Sequence, residues 1–359
     1  MKIEPFKLER WLLEKCEIDL GGGGVSKLQL RDVLSGLDGG TYMRYGRTDG
    51  SDALRGLVAE WHGVEPENVL ITSGTSEANL LVNLCLVEPE DEYVTEYPQY
   101  EQTSGFVKAL GVRVKAFHLV EGEGWTPDIE ELKERVTRET KVVFLDNPNN
   151  PTGALLSVEE MRGICEVAED VNAWVHCDNA LRGSELDGSP GVTPLGVYER
   201  GIVTGSISKL GATSPRIGWV IAEKEFIDRC RVMKDYTTLS HCGIGEQIAE
   251  RLLRNRDRYI KRNLAISRAN VAAFARWVEE NPNLVSCVPP RGGFTAFPKY
   301  RNRLGSKKFC ERLLRDEGVM LSPGDHFGVD KHLRINLGSK GEAFAEGLRR
   351  IEAFMRRIP

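Results

Sequence analysis

The sequence predicts an α/β protein: a mostly parallel, seven-stranded sheet flanked by helices, with a small α+β domain beside it. Three observations carry this. Short runs rich in Val, Ile and aromatic residues alternate with longer helical patterns over the first two thirds of the chain. Those runs have continuous apolar cores instead of strict alternation, as strands covered on both faces do. The chain has 359 residues, and at roughly 100 to 200 residues per domain that length suggests two domains, or one large domain with a smaller companion.

The seven strands are expected at VLITSG (69–74), EYVTEYP (92–98), VRVKAFHL (112–119), KVVFLDN (141–147), AWVHCDN (173–179), GIVTGSIS (201–208) and GWVIAE (218–223). Helix signals lie between them. Pro127 and Asp128 open DIEELKERV, and Ser157 with Glu160 makes a capping box ahead of MRGICEVAEDV. From about Ser240 to Asn281 the chain reads as helix almost throughout, ending at Asn281-Pro282, and can connect one domain to the next. Beyond it, LVSCVPP, FTAFPKY, VMLSPG and HLRINLG interleave with helices near 306–317 and 340–357, an α+β pattern. A helix around Pro5 to Lys15 is expected to pack there as well. The division expected is an arm at 1–37 that belongs partly to the small domain, a large domain at 38–260 with its connecting helix to about 281, and a small domain at 282–359.

Composition excludes several classes. With 48 Lys+Arg against 53 Asp+Glu, a formal charge of −5, 41% hydrophobic and 28% charged residues, the chain is too apolar for a disordered polymer and not basic, as a nucleic-acid binder usually is. No apolar stretch approaches the roughly 18 residues a membrane helix needs, and MKIEPFKLER lacks a signal-peptide core. Eight cysteines, at 16, 85, 165, 177, 230, 242, 287 and 310, form no C-x-x-C pair. In a large chain without a secretory signal they read as reduced core thiols, and the expected compartment is the cytoplasm. Six scattered histidines give a zinc site little support, and no metal is expected.

Several strand ends carry polar residues that suit a core badly, and in doubly wound sheets ligands bind beyond the carboxyl ends of strands. Ser73-Gly74-Thr75-Ser76 follows the first strand and opens a helix, so its N–H groups and hydroxyls can cradle an anion. An ordinary strand-to-helix turn with an N-cap explains the same residues. Asn147-Pro148-Asn149-Asn150-Pro151-Thr152-Gly153 is a rigid loop offering amides. Asp178 terminates the apolar strand AWVHC, where an acid is costly without a cationic partner, although an ordinary strand-end Asp explains the residue equally well. Ser206-Ile207-Ser208-Lys209 ends another strand, followed by Arg216-Ile217-Gly218-Trp219; a lysine held neutral by burial can attack an aldehyde or ketone.

An anion cradle, an amide, an acid, a lysine and an arginine together match pyridoxal 5′-phosphate (PLP), whose phosphate, ring nitrogen and aldehyde need such groups. N-P-x-N-P-T-G, D-x-A, S-x-S-K and R-x-G-W in this order resemble the class I/II aminotransferases of PLP fold type I over nearly the whole length. The resemblance implies that Lys209 condenses with the cofactor aldehyde and shuttles the substrate proton. It implies that Asp178 keeps the ring nitrogen protonated and that Asn150 bonds the 3′-oxygen. Gly74, Thr75, Ser76, Ser206 and Arg216 correspond to the phosphate site, and Tyr100 to the aromatic stacked on the ring. Tyr45 resembles the tyrosine that reaches the phosphate of a neighbouring subunit, which implies a homodimer with shared active sites. Arg334, in LRIN, is similar to the arginine that grips the substrate α-carboxylate, beside Asn150.

Three departures stand out. Leu181 occupies the position of the family's usual tyrosine; losing a hydrogen bond to a charged oxygen is worth roughly 1.5 to 3 kcal/mol. Lys209 to Arg216 is one residue shorter than the common spacing. The segment Asp19-Leu20, four glycines and Val25-Ser26-Lys27 lacks the usual pattern. With KDYTTLS, PRGGFTAFP and SPGDHFG, these features look most like the capreomycidine synthase-like branch. The leading expectation is an aminotransferase acting on an α-amino acid and a 2-oxo acid. The alternative is a PLP lyase or cyclase acting on a substituted or guanidino amino acid. Arg44 and Arg47, flanking Tyr45, are read either as an exposed basic loop or as a grip, across the dimer, on a substrate side-chain carboxylate.

Overall fold

The computed structural model describes residues 3–34, 37, 40 and 43–358. Its centre is an eight-stranded sheet. In chain order the strands are β1 (Val69–Thr72), β2 (Glu92–Tyr97), β3 (Arg113–Val120), β4 (Thr126–Pro127), β5 (Thr140–Asp146), β6 (Trp174–Asp178), β7 (Gly201–Ser206) and β8 (Gly218–Ile221). Across the sheet they lie β1-β8-β7-β6-β5-β2-β3-β4. The pairs β7/β6, β6/β5, β5/β2 and β2/β3 are parallel, β8 is antiparallel to both neighbours, and β4 is antiparallel to β3. The seven expected strands are all present, and β1, β7 and β8 are buried at every residue, which is why they show no alternation. The eighth, β4, is a two-residue edge piece. It takes Pro127 out of the helix start expected for it; Asp128 alone caps Ile129–Arg135, its carboxylate accepting from Glu131 N at 2.9 Å.

The capping box is formed as expected: Ser157 Oγ accepts from Glu160 N at 3.1 Å and Glu160 Oε2 from Ser157 N at 2.6 Å. The long helical stretch is two helices, Gly243–Arg254 and Arg256–Glu280. Asn255 separates them in a non-helical conformation, its side-chain amide donating to Arg251 O at 2.9 Å, so the side chain satisfies a carbonyl that a continuous helix would bond through its backbone.

Helix Arg256–Glu280 spans two apolar cores. Its Tyr259 belongs to the main cluster under the sheet, with Val143, Val175, Val203 and Trp219. Its Phe274 and Trp277 belong to a second cluster with Phe309, Leu313, Ile351 and Phe354, to which Ile18 and Leu20 contribute from the other end of the chain. There Ile18–Asp19 pairs in parallel with Val319–Met320. The N-terminal helix is shorter than expected, Lys7–Trp11. It does not serve the C-terminal core alone: Trp11 packs on that core, its indole N–H donating to Leu321 O at 2.7 Å, while Leu8 packs with Leu119 and Trp125 of the sheet edge and Phe297 and Phe327 beyond it. All eight cysteines are free thiols. The boundary expected at residue 38 lies outside the described residues.

Candidate active site

The carboxyl ends of β1, β5, β6 and β7 converge on a cavity of about 470 Å³, lined among others by Thr75, Ser76, Tyr100, Asn150, Asp178, Ser206, Lys209, Arg216 and Arg334. Parallel strands place this edge together by construction; the antiparallel β8 delivers Arg216 from its amino end.

At one end of the cavity the chain leaves β1 and starts helix Thr75–Leu86. Gly74 is the N-cap, with φ +81°, and a Cβ there would lie 2.3 Å from Arg216 Nη2. Only glycine lets the guanidinium come against this backbone. The Thr75 hydroxyl is buried with no hydrogen-bond partner. Ser206 Oγ caps the short turn that carries Lys209 by accepting from Ser208 N at 3.3 Å. A positive helix end, an unused hydroxyl and an arginine make a site for a phosphate dianion.

Asp178 is held from behind. Asn79 Nδ2 donates to its Oδ2 at 2.9 Å, Thr204 Oγ1 orients Asn79 at 2.7 Å, and Ala180 N donates to Oδ1 at 2.9 Å. Burial raises the carboxyl's pKa, and Asn79, Ala180 and the Lys209 amine pull it back. In the Asn-Pro loop, two of the three amides build the loop itself. Asn147 bonds Val192 O and Leu156 N, and Asn149 bonds Glu96, Pro98 O and Thr152. Asn150 alone lines the cavity, accepting from Arg334 Nη1 at 3.1 Å.

Lys209 donates to Gly23 O, and burial, then Lys27 and Arg334, lower its pKa to about 8. A neutral amine is thereby available near neutrality. Arg334 is 1% exposed, and burial lowers its pKa to about 10. Its guanidinium meets neutral oxygens, Gly21 O at 2.6 Å, Ser322 Oγ at 3.4 Å and Asn150 Oδ1, lies 4.8 Å over the Phe327 ring, and keeps a buried Nε without a partner. No carboxylate among the described residues forms an ion pair with it. A buried cation so placed is incomplete without an anion.

Tyr45 and Arg47, expected to act across a dimer at the neighbouring subunit's site, lie away from the cavity of their own chain. Tyr45 is 82% exposed and does not line it. Arg47 is engaged by Asp49 through two bonds, at 2.9 and 2.7 Å, in its own loop. Sequence reasoning missed Glu9, Gly23 and Asp146, all of which line the cavity. Glu9 accepts from the Tyr100 hydroxyl at 2.7 Å; nothing in KLERW distinguishes it from any helix-surface acid. Asp146 ends an apolar strand as Asp178 does, and the same signal identifies it. Leu181 lines the cavity too, and packs with Val25 and Phe294.

Fold and cavity together define a PLP-dependent enzyme, and residues 23–351 match the family described as aminotransferase class I and II, so the chain belongs to it. Pyridoxal 5′-phosphate is the cofactor of that family, and the residues present fit it: the glycine-lined cradle with its unpartnered Thr75 hydroxyl suits the phosphate, and Lys209 and Asp178 face the same space. Among individual proteins, capreomycidine synthase of Streptomyces vinaceus is 29% identical over 354 residues, covering 95% of this chain and 91% of that protein. A PLP-dependent aminotransferase from Streptococcus suis superposes with a TM-score of 0.94 at 33% identity, covering 100% of this chain and 99% of that one. The PLP-dependent cyclase OrfR superposes with a TM-score of 0.89 at 27% identity, covering 99% and 98%.

Proposed function

We propose that the protein is a PLP-dependent aminotransferase moving an amino group between an α-amino acid and a 2-oxo acid, with the chain divided into the arm, the large domain and the small domain that the sequence suggests. One observation carries this reading. The amine of Lys209, its pKa lowered to about 8, and the anion-deficient guanidinium of Arg334 open on one cavity, with Asn150 bonded to the guanidinium.

When bound, the cofactor supplies an electron sink for breaking a bond at the substrate α-carbon. Gly74, Thr75, Ser76, Ser206 and Arg216 would hold its phosphate, Tyr100 would cover its ring, and Asn150 would donate to its 3′-oxygen. Asp178 would hold the proton on the ring nitrogen. Arg334 binds the substrate carboxylate through its planar fork, which orients the α-hydrogen toward Lys209; the Lys209 amine takes that proton and returns it elsewhere. Tyr45, together with the exposed Met43 and Tyr236, 83% and 86% accessible, supports a homodimer in which Tyr45 completes the partner's phosphate site. Free cysteines support a cytoplasmic setting.

A second reading, a lyase or cyclase on a guanidino or otherwise substituted amino acid, has its own support. Glu9 places a carboxylate in the cavity, where a cationic side chain would be met, and Leu181 leaves the 3′-oxygen without a phenol donor. Purified holoenzyme given a single amino acid and no oxo acid separates the two. Transamination releases one equivalent of 2-oxo acid per active site, without ammonia, and stops. Continuous release of ammonia or water overturns the first reading in favour of the second.

A further inference from the structure

Resting on the reading that Asp178 faces the cofactor's ring nitrogen, we propose that Asp146 is a positioning acid: a neutral carboxylic acid donating a hydrogen bond to the Asp178 carboxylate, so that the pair shares one proton and carries one negative charge.

The geometry begins with register. Asp146 ends β5 and Asp178 ends β6, and the two are Cα partners on adjacent parallel strands, so their side chains leave the sheet on the same side. Both line the cofactor cavity. They are treated differently by their surroundings. Each Asp178 oxygen has a donor, Asn79 or Ala180. Asp146 is 7% exposed, its Oδ2 is shut off from solvent, and no donor reaches that oxygen. No cation among the described residues forms an ion pair with it. An ionised carboxylate in such a place would be uncompensated, whereas a protonated one has an O–H to give and a neighbouring carboxylate to receive it.

The other groups around the pair agree. Glu96 on β2 lies behind, its Oε1 accepting from Asp146 N at 2.7 Å and Asn149 Nδ2 at 2.7 Å. Burial, then Asp178, then Glu96 push the Asp146 carboxyl well above the usual range, and only the Tyr100 backbone N–H opposes them. The neighbouring Tyr93 and Cys177 are driven toward their protonated forms as well, and Lys209 acts on Asp178. Two adjacent carboxyls in a dry site titrate as a pair, and the member with donors keeps the charge.

Function follows from the shared proton. A donor on Asp178 draws charge away from it and loosens its hold on the ring-nitrogen proton, so Asp146 would set the strength of the electron sink without touching the substrate.

The test uses holoenzyme reconstituted with pyridoxal 5′-phosphate labelled with nitrogen-15 in the ring, its resonance followed against pH, together with infrared spectra of the carboxyl region. Asp146→Asn keeps a neutral donor and is expected to leave the ring-nitrogen midpoint nearly unchanged, while Asp146→Ala, which removes the donor, raises it by about one pH unit. The wild type should show a protonated-carboxyl band that Asp146→Asn lacks. If Asp146 is ionised, both variants remove a negative charge and both midpoints fall, which overturns the proposal. An unchanged midpoint in Asp146→Ala, or no infrared band assignable to residue 146, overturns it as well. Because the infrared comparison needs only the isosteric variant, a poorly folding alanine variant does not protect the proposal. In Asp178→Asn, an unmoved ring-nitrogen signal would overturn the placement of Asp178 instead, and the infrared band would still decide the protonation of Asp146.

Discussion

The two walls of the cavity are built by different means. One wall, with Gly74, Asp178, Ser206 and Lys209, consists of residues at or just beyond the ends of β1, β6 and β7 of one sheet; Asp178 and Ser206 are anchored by backbone N–H groups two residues away, and Lys209 alone bonds across to the arm, at Gly23 O. The substrate wall is assembled from distant pieces: Glu9 and Gly23 from the arm, Asn150 from the loop after β5, and Arg334 from the strand Leu333–Asn336. Arg334 reaches across 313 residues of sequence to bond Gly21 O. A wall made of strand ends is rigid and shared across many chemistries, whereas one made of chain ends can change its charge by a single residue of a short helix. On the proposed reading, cofactor handling belongs to the sheet, and substrate choice to the arm and the C-terminal region.

Breaking the cofactor wall should have the largest effect. Lys209→Ala is expected to lower turnover by about 10³-fold or more, the scale of a lost proton-transfer group, measured as single-turnover release of 2-oxo acid. Retained activity would remove the sheet wall from the chemistry. The same amine gives a pH signature: it is protonated below about 8 and neutral above, because its pKa lies below the usual lysine value. In the cofactor-free protein, the rate of PLP capture should therefore rise nearly tenfold per pH unit below about 8 and level off above it, as read by stopped-flow absorbance.

On the substrate wall, Arg334→Lys keeps the charge but loses the planar fork. A drop in kcat/KM of roughly 10- to 100-fold is expected, since a charge-assisted bond is worth about 1.5 to 3 kcal/mol. Glu9→Gln sharpens the comparison further. If the arm chooses the substrate, kcat/KM should fall about tenfold for amino acids with cationic side chains and stay level for neutral ones. Equal loss for both would reduce Glu9 to a support for the Tyr100 hydroxyl.

The smallest effect is expected at the seam between the walls. Leu181→Tyr adds a phenol donor toward the 3′-oxygen, and the visible titration of the bound cofactor should shift by about one pH unit. An unchanged profile would mean that residue 181 does not face that oxygen.

How much of this was legible in the sequence differs by wall. Asp178 could be named because an acid closing an apolar strand is costly in a core, and Lys209 because it follows a strand and precedes a glycine-rich turn. Asp146 carries the same mark, since it too closes an apolar strand. The Asn-Pro loop was seen as a set of amides, but composition could not divide them: only the folded loop makes Asn147 and Asn149 internal and leaves Asn150 free. Glu9 carried no mark at all. A surface acid in a helix becomes a site residue only when that helix docks, and docking depends on where Leu8 and Trp11 find apolar partners.

By itself, then, the sequence determined the class of fold, the order of its strands along the chain and the strand-end residues Asp178, Ser206 and Lys209 that line one cavity, because hydrophobic periodicity and strand-end chemistry are local properties written in consecutive residues. Strand order across the sheet, the strand-end pairing of Asp146 with Asp178, the arm's Glu9 lining one cavity with Arg334 and the sharing of one core by Ile18 and Phe354 were decided by tertiary structure alone. Each joins residues that are far apart in sequence, and their meeting depends on which buried surfaces fit one another, a property of the whole packed chain and not of any segment.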